Sequence, residues 1–262
     1  MMSLEDFGRA LVETEDLDPV YVALAHAELP PDQLRRWLMA YWCCYDMGAS
    51  SYLSEQTNGW ETFAVMAANE VLTPLGGRWP RGRERRHFRG QKAVDAVAWF
   101  AQHFTSPETP VRCLEQLPRP TSYAMVRNAV TVWPLFGPWI AFKVGDMLER
   151  VLGVPIDFRN SDVFFFDAPR EAAELWAGST SPAASSLASA HLASHLGQLT
   201  APPRHERALN LQEYETILCK WKSHTHGRYP VGADTHEVLE ALDHWSAVSE
   251  TARCLYGVLE TC

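Results

Sequence analysis

An all-α fold follows from three features of this 262-residue sequence. Apolar residues return at three- and four-residue intervals through most of its length, alternating strand-like runs are scarce, and prolines and glycines fall where helices begin and end. With 47% hydrophobic and 21% charged residues, the chain has enough apolar material for a core that needs no staples, and 1–262 is read as one unit.

Asp18 followed by Pro19 reads as an N-cap and first helical position leading into VYVALAHAEL, and Pro30 and Pro31 stop that helix. From Asp32 to Met47, Leu34, Trp37, Leu38, Tyr41, Trp42 and Tyr45 form one wide apolar face, the pattern of a core helix. Further helices are predicted over 59–70, 91–104, 121–132, 138–152, 168–178, 182–199, 211–223 and 235–260. Asn210 with Glu213 has the spacing of a capping box for the helix at 211. SSLASAHLASHLGQ keeps Leu187, Leu192 and Leu196 in helical register and reads as a closely packed helix; VFFF (163–166) alone reads as a buried extended piece.

Composition narrows the function. No apolar run reaches bilayer length, and the N-terminus, MMSLEDFGRALVETEDL, is acidic where a secretory signal would be basic, so a cytoplasmic protein without membrane contact is expected. The six cysteines, Cys43, Cys44, Cys113, Cys219, Cys254 and Cys262, lack paired C-x-x-C spacing. They are read as reduced thiols, with neither metal nor cofactor expected. A net charge of −9 argues against indiscriminate coating of nucleic acid. One segment runs against that balance: RWPRGRERRHFRGQK carries Arg78, Arg81, Arg83, Arg85, Arg86, Arg89 and Lys92 against the single acid Glu84. Such a segment suits phosphates held in an otherwise acidic protein, although charge runs are often only solvated surface. A second cationic stretch, CKWKSHTHGRY, offers Lys220, Lys222 and His224 near a helix end, where cations also answer the helix dipole.

Residues 126–162 carry the most information. They read as helix, tight turn, helix, loop, with Pro134 ending the first helix, Gly137 permitting the turn and Pro138 opening the second, whose free N–H groups suit a DNA phosphate. This segment resembles the helix-hairpin-helix DNA glycosylase superfamily: Trp133, Pro134, Phe136, Gly137 and Ala141 match its hairpin motif, while Leu135 stands where the family has its first glycine. The resemblance implies two helical lobes around a cleft, with DNA contacts at Phe136, Gly137 and Trp139. It also implies a catalytic aspartate in the loop after the hairpin. Asp157, 20 residues beyond Gly137, occupies that region, and Asp162 competes with it; a solvated carboxylate or an N-cap is the plain alternative for either. Trp139 and Ile140 stand where bifunctional members carry a Schiff-base lysine.

Three blocks, AYWCCYDMGASSYLSE (40–55), RWPRGRERRHFRG (78–90) and ETILCKWKSHTHGRYPVG (215–232), are similar to a phage family, the alpha-glutamyl/putrescinyl thymine pyrophosphorylases or amino acid:DNA transferases. That resemblance implies displacement of pyrophosphate from a 5-(pyrophosphoryloxymethyl)uracil in double-stranded DNA by an amino acid or polyamine, in an infected bacterial host. Base flipping onto a glycosylase-like scaffold would expose the modified thymine. Arg78, Arg81, Arg83, Arg85, Arg86 and Arg89, with Lys220, Lys222 and His224, would bind the leaving group or the DNA phosphates, and Asp157 or Asp162 would take the amine proton. A monofunctional glycosylase and a non-catalytic DNA-binding module are the alternative functions.

Overall fold

A computed structural model describes residues 2–159 and 166–261, over which fourteen α-helices account for most of the chain. In the N-terminal half these are α1 (Leu4–Glu13), α2 (Pro19–His26), α3 (Pro31–Cys44), α4 (Met47–Glu55), α5 (Trp60–Ala68), α6 (Gln91–His103) and α7 (Thr109–Glu115). A 3₁₀ turn, Arg83–Arg85, lies between α5 and α6. The chain continues through α8 (Tyr123–Val130), α9 (Pro138–Arg150), α10 (Asp167–Ala177), α11 (Ala184–Leu196), α12 (Leu211–Thr225), α13 (Ala233–Ser246) and α14 (Glu250–Thr261). Two-residue strands β1 (Thr121–Ser122) and β2 (Ile156–Asp157) pair in parallel across the base of the α8–α9 hairpin. Among the described residues no helix is long and apolar enough to cross a membrane.

The capping box closes as expected, with the Glu213 carboxylate accepting from the Asn210 N–H at 2.8 Å. Three expectations change. The helix from Asp32 ends at Cys44, because Tyr45 turns left-handed (φ 55°) and Asp46 caps a separate α4 through the Ala49 N–H. The stretch 235–260 is two helices: Ser249 breaks it, its hydroxyl accepting from the Ala252 N–H and donating to Glu55. The hairpin helix begins at Tyr123 instead of 121, since Thr121 and Ser122 pair with β2. Residues 163–165 of the VFFF segment lie outside the described residues, and Phe166 is the extended residue before α10. Helices α1, α4 and α7 were not anticipated. In α4 the buried Ser50, Ser51 and Ser54 hydroxyls bond back to carbonyls of their own helix, which lets a serine-rich segment sit in the interior.

Buried apolar residues form two clusters. The larger draws on α2 to α9, α13 and α14, and the smaller on α1, α10, α11 and α12. Helix α9 is buried almost all round, and such a helix belongs to the core. Yet Lys143, Asp146 and Arg150, at i, i+3 and i+7, make one buried polar stripe along it.

Arg150 ends that stripe and ties the two clusters together. Its guanidinium meets Asp18 at 2.5 Å, Glu213 at 3.4 Å and Asp146 at 3.6 Å, and donates to the Pro202 carbonyl at 2.7 and 3.0 Å. Asp18, the residue before α2, thus gives its carboxylate to Arg150 instead of capping the helix. Arg207 holds Glu149 at 2.6 and 2.7 Å and Glu213 at 2.9 and 3.0 Å. Replacing Arg150 with Met leaves the buried Asp146 and Glu213 and the half-buried Asp18 short of a counter-charge, so Arg150→Met should cost ~3–5 kcal/mol in urea unfolding. A loss below ~1 kcal/mol would show that the cluster does not hold the helices together.

Candidate functional site

A cavity of about 480 Å³ opens where α2, α3, α4, α9, α12 and α13 converge, a size that suits a small organic ligand. One wall is aromatic. Tyr41 stacks on Tyr45 at 4.5 Å between ring centroids, and Tyr45 meets Trp139 edge-on at 5.2 Å. Trp139 lies in the first turn of α9, and Tyr45 is displayed by the left-handed end of α3. The basic segment crosses this wall at Gly82, whose N–H donates to the Cys44 carbonyl at 2.9 Å. A Cβ at that position would sit 2.4 Å from the Tyr45 carbonyl oxygen, so glycine alone permits the crossing. The chain then delivers exposed Arg83 and Glu84 to the rim.

Deeper, the lining is ionic. Lys143 of α9 is 7% exposed and Glu215 of α12 is 3% exposed, and both border the cavity. Their charged groups stand 3.8 Å apart, too far for a hydrogen bond. The Thr216 hydroxyl donates weakly to Glu215 at 3.4 Å. Burial pushes the Glu215 carboxyl up to about 7 even though Lys143 pulls it down. Burial opposes the charge on Lys143, but Glu215, Asp18 and Asp146 outweigh it and hold the ammonium above the ordinary lysine range. Asp18, Asp46, Asp234 and Glu237 also line the cavity, so carboxylates outnumber Arg83, Lys143 and Lys220 there. Such a site attracts a cationic amine more than an anion.

The far wall is fixed by Asp16, which is fully buried. Its carboxylate accepts from the Tyr229 hydroxyl, the Gly232 and Thr235 N–H groups and the Thr235 hydroxyl at 2.7–2.9 Å. The Asp16 carbonyl accepts from Lys220, which also pairs with Asp234 at 2.7 Å and lies over the Tyr229 ring.

Of the residues predicted from sequence, Arg83, Lys220 and Trp139 line this cavity. Arg85, expected to clamp an anion, is instead 1% exposed. Its guanidinium donates to the Leu135 carbonyl at 2.7 Å and lies against the Phe88 and Phe136 rings, fastening the basic segment to the hairpin turn. Arg81 is similarly structural, donating to the Met66, Pro80 and Phe88 carbonyls. Arg78, Arg86 and Arg89 are exposed and border no part of the cavity. Lys222 pairs with Glu171, and His224 stacks on Phe7 while donating to the Tyr229 carbonyl, so neither reaches the cavity. Phe136 is buried at the hairpin turn, and Gly137 is exposed at the start of α9. Leu135 itself adopts φ 64°, the left-handed conformation a glycine would take most easily.

The expected meeting of Asp157 with the basic segment does not occur. Asp157 lies on β2, outside the cavity lining, and its carboxylate is held bidentately by Arg159 at 2.7 and 3.0 Å. Hydrogen bonds from the Arg159 side chain and N–H lower its pKa to about 2, an unsuitable base for an ammonium. Asp162 lies outside the described residues. Sequence reading missed Lys143 and Glu215; the one available sign was a lysine inside the apolar run PWIAFKVG.

A ligand-sized cavity joining an aromatic wall, a buried lysine and a buried carboxylate whose proton affinity is raised by burial suits the handling of charged groups and protons. Residues 12–229 match the amino acid:DNA transferase family, and the chain belongs to that family. It is 43% identical to a glycinyltransferase of Pseudomonas phage PaMx11, over 98% of this chain and 96% of the relative. It is 27% identical to a putrescinyltransferase of Delftia phage PhiW-14, over 95% of this chain and 81% of the relative. The protein is thus a transferase that modifies DNA with an amino acid or amine. Because Asp157 stands apart from the cavity, Asp157→Asn should keep transfer within about twofold of wild type in a steady-state assay, as a surface ion pair commands little energy. Loss of all turnover would move the reacting centre to β2.

Proposed function

We propose that this transferase displaces pyrophosphate from a 5-(pyrophosphoryloxymethyl)uracil in phage DNA with the amine of an amino acid, in the cytoplasm of an infected bacterium. The single observation that carries this reading is the charge of the cavity lining. Six carboxylates line it against three cations, which favours a bound ammonium, and exposed Arg83 borders it where a pyrophosphate on a base entering from the duplex would lie. The aromatic wall of Tyr41, Tyr45 and Trp139 offers a face for the pyrimidine, which must leave the base stack to react. The high identity to a phage glycinyltransferase over nearly the whole chain favours glycine as the donor over a diamine.

The chemistry is substitution at the base's exocyclic methylene. The amine nitrogen forms the new C–N bond, the C–O bond breaks with its electron pair leaving on oxygen, and pyrophosphate departs. Arg83 at the rim answers the charge that grows on the leaving oxygen. Arg78, Arg86 and Arg89, exposed along the same segment, suit the duplex backbone instead.

Nucleoside mass spectrometry tests this directly. Duplex carrying the pyrophosphorylated thymine, incubated with glycine, should yield an intact nucleoside bearing N-linked glycine and one pyrophosphate per modification. Putrescine should serve poorly. An abasic site in place of the product would establish base excision instead. The arginines should separate as well: Arg83→Ala should lower turnover by roughly 100-fold while leaving affinity for plain duplex unchanged. Arg86→Ala should weaken binding to modified and plain duplex alike and reduce the salt slope by about one phosphate.

A further inference from the structure

We infer that Lys143 and Glu215 together form the seat of the amino acid zwitterion, Lys143 holding the donor's carboxylate and Glu215 holding its ammonium and then removing a proton. This assignment rests on the proposed transfer and adds to it the two residues that select the donor.

The geometry that carries it is a buried lysine side chain that borders the cavity with no hydrogen-bonded partner for its ammonium among the described residues. Lys143 Nζ makes no hydrogen bond among the described residues; its ion pair with Glu215 spans 3.8 Å, and otherwise it lies over the Phe142 ring at 5.2 Å. A buried ammonium normally gathers hydrogen-bond acceptors, because leaving one unsolvated is costly. The neighbouring buried cation does so: Arg150, seven residues further along α9, meets three carboxylates and a carbonyl. Lys143 borders the cavity instead, with its donors available to a bound anion. Glu215 borders the same space, and a single weak hydrogen bond from Thr216 reaches it. An α-amino acid carries its carboxylate and its ammonium on one carbon atom, and it can bridge two such opposite charges, each to its complement.

The groups facing Glu215 set its proton affinity. Lys143 and Asp146 approach from α9, Asp18 from the start of α2, and Thr216 and Cys219 from α12 itself. Burial and the two aspartates make the carboxylate basic, while Lys143 restrains it. With the carboxyl poised at about 7, Glu215 in its ionised form takes one proton from the donor's ammonium. The freed amine attacks the methylene, pyrophosphate leaves, and the product is a secondary ammonium. Lys143 takes no part in that proton transfer; it fixes the carboxylate so that the nitrogen points at the methylene.

The prediction concerns donor choice. With pyrophosphorylated-thymine duplex, Lys143→Met should raise KM for glycine on the order of 100-fold and change KM for glycinamide, which lacks the carboxylate, by less than about threefold. Retained glycinamide transfer also shows that the variant folds. Glu215→Gln should slow both donors and remove the rise in kcat/KM across neutral pH that wild type shows as the carboxylate ionises. Equal loss of glycine and glycinamide in Lys143→Met would reduce Lys143 to a structural role and overturn the inference. A further readout does not depend on the transfer reaction: calorimetry in the presence of unmodified duplex should show glycine binding to wild type, its loss in Lys143→Met, and unaltered binding of inorganic pyrophosphate. No glycine binding to wild type, or weakened pyrophosphate binding in its place, would overturn it too. If glycine binds as described but no pyrophosphate is released from modified DNA, the proposed reaction fails while the donor site stands.

Discussion

The Arg150 guanidinium is the constraint on which the site depends. It is shared by the residue before α2, by α9 itself and by the first turn of α12, so these three pieces of chain cannot shift independently without separating a buried cation from its carboxylates. Lys143 lies two turns before Arg150 on the same face of α9, and Glu215 lies two residues after Glu213 on α12. The cluster also sets the electrostatics. Arg150 and Arg207 answer four carboxylates, Asp18, Asp146, Glu149 and Glu213. Burial makes Glu215 a better base than a surface glutamate, with Asp146 and Asp18 adding to it, and Glu215 with the same two aspartates keeps Lys143 protonated.

The basic segment is where the DNA contacts proposed for this acidic protein gather. Its arginines divide by what surrounds them. Arg81 donates to the Met66, Pro80 and Phe88 carbonyls and Arg85 to the Cys43 and Leu135 carbonyls, which binds the segment to α5 and to the hairpin turn. Their neighbours Arg78, Arg83, Arg86 and Arg89 are exposed. The buried pair gives the exposed set a rigid mount, so the phosphate contacts proposed for it fall on an ordered ridge.

Much of the fold was legible because its signs are local. Proline at the start of α2, α3 and α9, the capping box before α12 and the apolar stripes are written in neighbouring residues. Helix α4 was hidden because its serines satisfy themselves on their own carbonyls, a solution invisible to hydropathy. The break at Ser249 depends on Glu55, nearly two hundred residues away in sequence. The site was harder for the same reason. Charge density singled out the basic segment, but no local feature shows that Arg85 turns inward to Leu135. Asp157 had suitable spacing from the hairpin, and its capture by Arg159 is a matter of side-chain geometry. Glu215 acquires its basicity only when α9 and α2 close over it.

The proposed chemistry takes place in the cavity built by α2, α9 and α12. A crystal structure of the protein with glycine and a duplex bearing 5-hydroxymethyluracil, which lacks the leaving group, tests it most directly. The account predicts the modified base outside the helix stack, its ring against Tyr45 and Trp139, and the glycine nitrogen within about 3.5 Å of the exocyclic methylene. A base that remains stacked in the duplex, or one seated beside Asp157 with the cavity empty, would contradict it.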